Sequence, residues 1–436
     1  MNGKTFRVGT SYKLGGCIFT IVNILRSEQL AECKKYSPYA DSFLGRSSMM
    51  KERRKLKNTY CEHGKTETIP LAHLSRIYRD EILLFDWLYE NSQNDDFCYY
   101  KREGKIPPST PEKLSPTVLE LYAGAGGMSL GFKNAGMQVK WAVEHDSDAQ
   151  ATLKANFGNS GLTVYPSAVS DFLRAVKDRK GGYPQPGEVD HIHGSPPCQG
   201  FSYLNPEGKG NAIENNDQTI EFLKAIEHFE PSTVTYENVP GLRSDKHRHY
   251  LDKLVSGLIE MNYQVRLAEL KASDFGDPQH RKRIFLFAAK VHMCIPSSPI
   301  ATHSCETQGG LLKWRTLADA IGWLKNVQPS DDPKIATYLN GIHDFNHCIV
   351  PGERILQGDD NISPADQPAR TVLCKPFIHY NGRYTTVREN ACVQSFPWDF
   401  QFHGTTTKQF KQVGNAVPVM LATQVARSVA KVYGLP

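Results

Sequence analysis

Between residues 117 and 290, short apolar runs alternate with stretches of helical spacing. VLELYAG, VKWAVEH, VDHIHG, TVTYENV, YQVRLAEL and RIFLFAA each predict a buried strand. GGMSLGFKNAG, SDAQATLKANF, QTIEFLKAIEHF and YLDKLVSGLIEM, lying between them, predict helices. Continuous apolar strands separated by helices need cover on both faces. The alternation therefore predicts an α/β fold: a Rossmann-like, mostly parallel open sheet with helices on each side.

The rest of the chain divides around that block. Residues 1–108 mix short apolar stretches with the basic run KERRKLK and predict a β-rich N-terminal region. Residues 109–116 end a proline-rich stretch that reads as a linker. Residues 291–365 lose the rhythm, and 366–436 close with VGNAVPVMLATQVARSVAKVY, a turn followed by an amphipathic helix. The longest apolar candidate for a membrane span, CIFTIVNIL, is too short, so no membrane partner is expected. The chain has ten cysteines but no CxxC pair, which argues against a zinc ribbon and leaves no metal site expected. A net charge of +5 permits nucleic-acid binding without requiring it.

Five strand termini carry candidate chemistry. In VLELYAGAGG a strand runs into a glycine turn and then a helix, and Glu144 closes the next strand where an acid would grip ribose hydroxyls. GAGG is not the dinucleotide pattern GxGxxG, and it suits S-adenosylmethionine better than a ligand with a pyrophosphate. GSPPCQGFS places Cys198 just past a strand, behind two prolines that stiffen the approach. A zinc deaminase would need PCxxC and an upstream HxE; Phe201 stands at the third position after Cys198, and the one HxE lies downstream. TVTYENV delivers Glu237 and Asn238 to the same edge, and PQHRKRIFLFAA brings Arg281 and Arg283 on one face. Taken singly, an inert cysteine, a solvated carboxylate and a solvated charge cluster are the ordinary explanations. A thiol, a carboxylate and two arginines beside a nucleoside site together suggest one reaction. A thiolate adds to carbon 6 of cytosine, carbon 5 takes a methyl group, and a protonated carboxyl hydrogen-bonds ring nitrogen 3. A free thiol titrates near ~8.5, so its deprotonation needs help.

In these motifs the chain resembles the DNA (cytosine-5) methyltransferase family of eukaryotic type. ELYAGAGGMSLGF resembles the cofactor loop, GSPPCQGFS the catalytic loop, YENVPGL the glutamate motif and QHRKR the arginine motif. ARTVLC, VRENACVQSFPWDF and QVGNAVP resemble the late motifs, all in family order. The resemblance implies that Cys198 is the nucleophile, that Glu237 holds the cytosine edge and that Arg283 meets the base oxygen. It implies that Arg281 supports the loop or a phosphate and that Asn238 ties the glutamate strand to the catalytic loop. Around S-adenosylmethionine it places Tyr122, Ala123, Gly124, Gly126, Gly127, Met128, Glu144, His145, Pro197, Asn415 and Val417. Gln199, Gly200, Phe201 and Ser202 would begin a loop that closes over a flipped base. The family often has an acid on the strand after Glu144 to meet adenine. Ser167, Ala168 and Val169 stand there instead, leaving a backbone N–H or Asp171 for that contact.

Residues 291–365 occupy the target-recognition position, with His303, Lys325, His343, His347 and Arg354 as candidate DNA contacts. Within 1–108, TIPLAHLSRIYRDEILLFDW and NDDFCYYKR resemble the end of a bromo-adjacent homology domain, which implies a chromatin partner and a nuclear location. A family-specific extension packed on the catalytic domain is the alternative. The implied partner is double-stranded DNA. Two other readings stay open: a tRNA methyltransferase on the same fold, and a catalytically silent DNA- or chromatin-binding regulator.

Overall fold

The computed structural model describes residues 115–197, 212–291, 293–307, 310–322, 363–376, 379–380 and 383–435, together with the backbone of six N-terminal strands. Backbone alone is described for 212–217, 379–380 and 383. The N-terminal strands are β1 (Ser11–Leu14), β2 (Cys17–Leu25), β3 (Leu30–Pro38), β4 (Thr59–Pro70), β5 (Ser75–Arg76) and β6 (Phe97–Lys101). KERRKLK, most of the linker and most of the target-recognition segment lie outside the described residues.

The predicted alternation is present. The strands are β7 (Thr117–Leu121), β8 (Gln138–Val143), β9 (Thr163–Tyr165), β10 (His191–Gly194), β11 (Thr233–Asn238), β12 (Tyr263–Lys271) and β13 (Lys282–Lys290). The helices are α1 (Gly127–Asn134), α2 (Ser147–Phe157), α3 (Val169–Lys177), α4 (Ala212–Phe229), α5 (Arg248–Glu260), α6 (Leu317–Ile321), α7 (Val387–Val393), α8 (Thr406–Asn415) and α9 (Val419–Val432). The catalytic strands lie in the order β12-β13-β11-β10-β7-β8-β9, and β6 extends the sheet by pairing antiparallel with β12.

Strands β7 to β11 run parallel to one another, whereas β13 runs antiparallel to both β11 and β12. This single reversal positions the site. It brings the start of β13, and so Arg281 and Arg283, to the edge where β10 and β11 end. A right-handed parallel crossover would have carried those arginines to the opposite edge.

Side chains from α3, α4 and α5 cover one face in a core that includes Phe172, Phe222, Phe229 and Leu254. On the other face, α1 and α9 cover the sheet through Phe132, Leu421 and Val425. The closing sequence differs from the expected turn and single helix: VGN ends α8, and the break falls at 416–418 before α9. Pro418 explains the break, because it has no N–H to continue α8 but suits a helix start. Asp277 serves α9 from a distance, accepting the N–H groups of Met420 (3.2 Å) and Leu421 (2.9 Å).

Candidate active site

The carboxyl edge of the sheet opens into a cavity of about 720 Å³. One end is the turn after β7. Tyr122 leaves the strand at φ 59° and donates its phenol to the Gln218 carbonyl at 3.1 Å. Gly124 also has positive φ, and a Cβ there would meet nothing within 4 Å, so its open side belongs to the cavity. The next two glycines are required by packing, and Gly127 also lines the cavity. Gly126 sits at φ 89°, where a Cβ would lie 2.7 Å from the Phe157 ring, and it does not line the cavity. A Cβ on Gly127 would lie 2.5 Å from the Val417 carbonyl oxygen. The turn is thus glycine-rich because α1 starts against α2 and against the segment before α9.

Glu144, just past β8, is 6% exposed. Its two oxygens accept the N–H groups of Gly124 (Oε2) and Asp146 (Oε1), each at 2.8 Å, and Oε2 keeps a lone pair for a ligand. His145 Nδ1 lies 3.2 Å from the same carboxylate, and that hydrogen bond raises the imidazole above its ordinary value. Ala123, Met128, Asn415 and Val417 line the cavity as expected, and the Cys374 thiol donates to the Asn415 side chain at 2.9 Å. Ser167, Ala168 and Val169 line it too, whereas Asp171 turns away to pair with Arg174 at 3.0 Å. The buried Ser167 Oγ has no hydrogen-bond partner among the described residues.

The other end holds the predicted chemistry. Glu237, near the end of β11, is 7% exposed and lies 2.9 Å from Arg283 Nε. Burial raises its carboxyl above the ordinary value, and the charges of Arg283 and Arg281 offset that only in part. Arg281 is 2% exposed, and its guanidinium donates to the carbonyls of Val372 (3.0 Å) and Gly414 (2.8 Å). Of the two expected roles, support of the loop or contact with a phosphate, this placement fits support, tying β13 to two later segments. Asn238 donates to the Pro196 carbonyl at 3.5 Å, a long bond, and to the Tyr236 phenol at 3.3 Å. Pro197, the last described residue before Cys198, lines the cavity. Cys198, Gln199, Gly200, Phe201 and Ser202 lie outside the described residues, as do Lys325, His343, His347 and Arg354. His303 is buried, hydrogen-bonded to Thr302 and set under Gly276, where a Cβ would come within 2.8 Å of its ring. It is packed inward rather than presented to DNA.

Sequence reasoning missed several cavity residues. Thr371 and Leu373 fall within ARTVLC, which the motif resemblance marked without giving these residues a role, and Lys408 and Lys411 come from a C-terminal stretch where nothing in their spacing announces a site. Ser195 also lines the cavity, one residue past β10 and beside Glu237 in the β10–β11 register. Its signal was the alternation of His191, His193 and Ser195 along β10 opposite Thr233, Thr235 and Glu237 along β11. The chemistry of the lining suits a nucleoside bearing a sulfonium: an acid for hydroxyls, an unpartnered hydroxyl and apolar walls.

Comparison with known proteins agrees. The C-5 cytosine-specific DNA methylase family matches residues 116–341 and 348–431. A type II methyltransferase of Haemophilus parahaemolyticus is 30% identical over 346 residues, covering 73% of this chain and 87% of the relative. DNA (cytosine-5)-methyltransferase 3 of Arabidopsis thaliana is 32% identical over 445 residues, covering 76% of this chain and 32% of the relative. Among solved structures, a prophage-encoded E. coli chain described as a DNA modification methyltransferase superposes with a TM-score of 0.57 at 23% identity. It covers 73% of this chain and 99% of its own length.

Proposed function

Because the chain belongs to the C-5 cytosine-specific DNA methylase family and is a DNA (cytosine-5)-methyltransferase using S-adenosylmethionine, we propose that Cys198, Glu237 and Arg283 perform the transfer at the mouth of the described cavity. The observation that carries this reading is the buried Glu237–Arg283 pair. Burial shifts Glu237 toward the protonated carboxyl, the form that can give a hydrogen bond, and the arginine holds its other oxygen in place.

S-adenosylmethionine supplies the methyl group. Glu144 would receive the ribose hydroxyls, and the Ser167 hydroxyl, rather than an acid, would meet the adenine. The cytosine must leave the DNA stack, at a cost of a few kcal/mol, to reach the edge formed by Glu237 and Pro197. There the Cys198 thiolate forms a bond to carbon 6. Glu237 donates to ring nitrogen 3 and stabilises the electron-rich ring, and the remaining N–H groups of Arg283 hold the base oxygen. Carbon 5 takes the methyl group and then loses its proton as the sulfur–carbon bond breaks and the thiolate leaves. Asn238 steadies the approach to Cys198 through Pro196.

Beyond catalysis, residues 291–365 would choose the DNA sequence. The N-terminal strands would meet chromatin in a nucleus, a reading supported by the motif resemblance in 1–108.

The test is a trap. DNA carrying 5-fluorocytosine cannot release a proton from carbon 5, so protein, S-adenosylmethionine and this DNA should give a covalent adduct that Cys198→Ala abolishes. An adduct that persists in the variant would remove Cys198 from the mechanism, and an adduct on RNA alone would move the activity to RNA. Glu237→Gln should slow single-turnover transfer by more than tenfold, about 1.4 kcal/mol of transition-state stabilisation.

A further inference from the structure

On the sheet face covered by α1 and α9, an unbroken line of hydrogen bonds crosses β10 and β11 and ends at the cavity. It starts at Tyr433, just past α9, whose phenol donates to the Asp190 carbonyl at 2.7 Å and lies 2.8 Å from Thr233 Oγ1. Thr233 meets His191 Nδ1 at 2.7 Å, and His191 Nε2 meets Thr235 at 2.9 Å. Thr235 meets His193 Nδ1 at 2.8 Å, and His193 Nε2 meets Ser195 Oγ at 2.8 Å. The two threonines and two histidines are fully buried, and the Phe132 ring of α1 lies 5.0 Å from His191 and 5.7 Å from His193. Burial holds both imidazoles below their ordinary values, so both are neutral. Ser195, at the far end of the line, is only half-buried and lines the cavity.

Each hydroxyl and each neutral ring in this line has one hydrogen to give, so the line has a direction, and its anchored end decides which. A carbonyl oxygen can only accept, so the Tyr433 hydrogen goes to Asp190. The Tyr433 oxygen then accepts from Thr233, whose own hydrogen is thereby used. Thr233 accepts from His191 Nδ1–H, which leaves His191 Nε2 to accept from Thr235. Thr235 accepts from His193 Nδ1–H, which leaves His193 Nε2 to accept from Ser195. Ser195 therefore gives its hydrogen inward, to His193, and offers only lone pairs to a group in the cavity.

Three neighbouring strands meet this part of the cavity in the order β13, β11, β10. They bring Arg283, Glu237 and Ser195 to its lining. Gly194 pairs with Tyr236, so the same parallel register sets Ser195 beside Glu237. The pairing edge of cytosine also carries three groups in a row: oxygen 2 accepts, nitrogen 3 accepts and the 4-amino group donates. With oxygen 2 on Arg283 and nitrogen 3 on Glu237, the amino group falls on the β10 side. We propose that Ser195 accepts a hydrogen bond from the 4-amino group of the flipped cytosine and so favours cytosine over uracil and thymine, with His193 and His191 as positioning residues that keep the serine hydrogen out of the cavity. Uracil and thymine carry an oxygen at position 4, which would meet the Ser195 lone pairs with no hydrogen between them. The inference rests on the placement of the base by Glu237 and Arg283.

The test removes the amino group from the base and the hydroxyl from the protein. Two DNA duplexes carry either 5-fluorocytosine or 5-fluoro-2-pyrimidinone, the same ring without its amino group, at one target position. The rate of covalent adduct formation is read on each for the parent and for Ser195→Ala. The ratio of the two rates should shift against 5-fluorocytosine in the variant by about five- to tenfold, the worth of one neutral hydrogen bond. A merely structural role for Ser195 would slow both duplexes alike, and an unchanged ratio would overturn the proposal. Because each ratio is taken within one preparation, a loss of folded enzyme cancels. Nitrogen-15 spectra of histidine-labelled parent enzyme give an independent reading. Both rings should be neutral with the proton on Nδ1, and an Nε2–H His193 would turn the Ser195 hydrogen toward the cavity and overturn the assignment. Adduct formation at the parent rate in Glu237→Gln would defeat the placement of the base. A slow Glu237→Gln beside a Ser195→Ala ratio equal to the parent's would defeat this proposal alone.

Discussion

At Arg281 the guanidinium donates inward to the carbonyls of Val372 and Gly414, while at Arg283, two residues on, Nε–H turns to Glu237. Their neighbours in sequence are nearly the same, so only the surroundings separate a tie from a catalytic group. Arg281→Ala would leave two buried carbonyls short of a donor at roughly 1–3 kcal/mol each, and should lower the melting temperature and cofactor affinity together. Arg283→Ala should leave melting nearly unchanged and cut the single-turnover rate more than tenfold. The reverse pattern would mean that the two roles have been exchanged. A second residue-scale prediction concerns Glu120, buried beside the glycine turn and held up to about 8 against 4.5 when exposed. Between those values the folded chain keeps a proton that the unfolded chain has lost. This group's contribution to stability is therefore full below about 4.5 and disappears as pH rises through about 8. Gln resembles the neutral acid. Glu120→Gln should therefore gain on the parent by on the order of 1 kcal/mol for each pH unit across that window, read from denaturant titrations at several pH values. Parallel stability curves for the two proteins would show that Glu120 does not bind that proton.

At the scale of elements, α1 and α9 approach at a glycine. A Cβ on Gly131 would lie 2.6 Å from the Ala422 backbone carbon and 2.7 Å from its oxygen, and backbone in a packed helix cannot move aside cheaply. Gly131→Ala should therefore cost about 1–3 kcal/mol, even though alanine is the better helix former, and a denaturation midpoint at or above the parent's would refute the close contact. The elements themselves were legible from sequence where burial is total, because a strand covered on both faces reads as an apolar run and a covering helix as a stripe. The direction of β13 was not legible, since an apolar strand looks the same in either orientation and only pairing decides. The division between α8 and α9 was likewise missed, although Pro418 marks it. The polar line through β10 and β11 was the most hidden. His191, His193, Thr233 and Thr235 occupy buried positions where an apolar pattern is expected, and only the parallel register makes them neighbours. The catalytic motifs were visible for the opposite reason: their unusual Pro, Gly, Glu and Arg combinations are poor packing choices that chemistry has to explain.

At the scale of the whole molecule, the cavity belongs to two distant parts of the chain. Its floor and acids come from 120–283, but Thr371, Lys408, Gly414 and Val417 close it from the other side. The two parts are bound by the Arg281 tie, by Gln279 Nε2 donating to the Gln394 side chain at 2.7 Å, by Asp277 at the start of α9 and by the α1–α9 contact. Most of these links are buried, and none passes through 342–347, the stretch the family match omits. A chain cut there should reassemble. Co-expressed fragments 1–341 and 348–436 should co-purify and bind S-adenosylmethionine, with the loss confined to the entropy of joining two chains. Neither fragment alone should bind it, because fragment 1–341 lacks the wall at 371–417 and the other lacks Glu144 and the glycine turn. Calorimetry on the separate and joined fragments checks this directly. Full-affinity binding by fragment 1–341 alone would show that the C-terminal segment only decorates a complete site, whereas binding restored on mixing would show that the cofactor cavity exists only where the two parts of the chain meet.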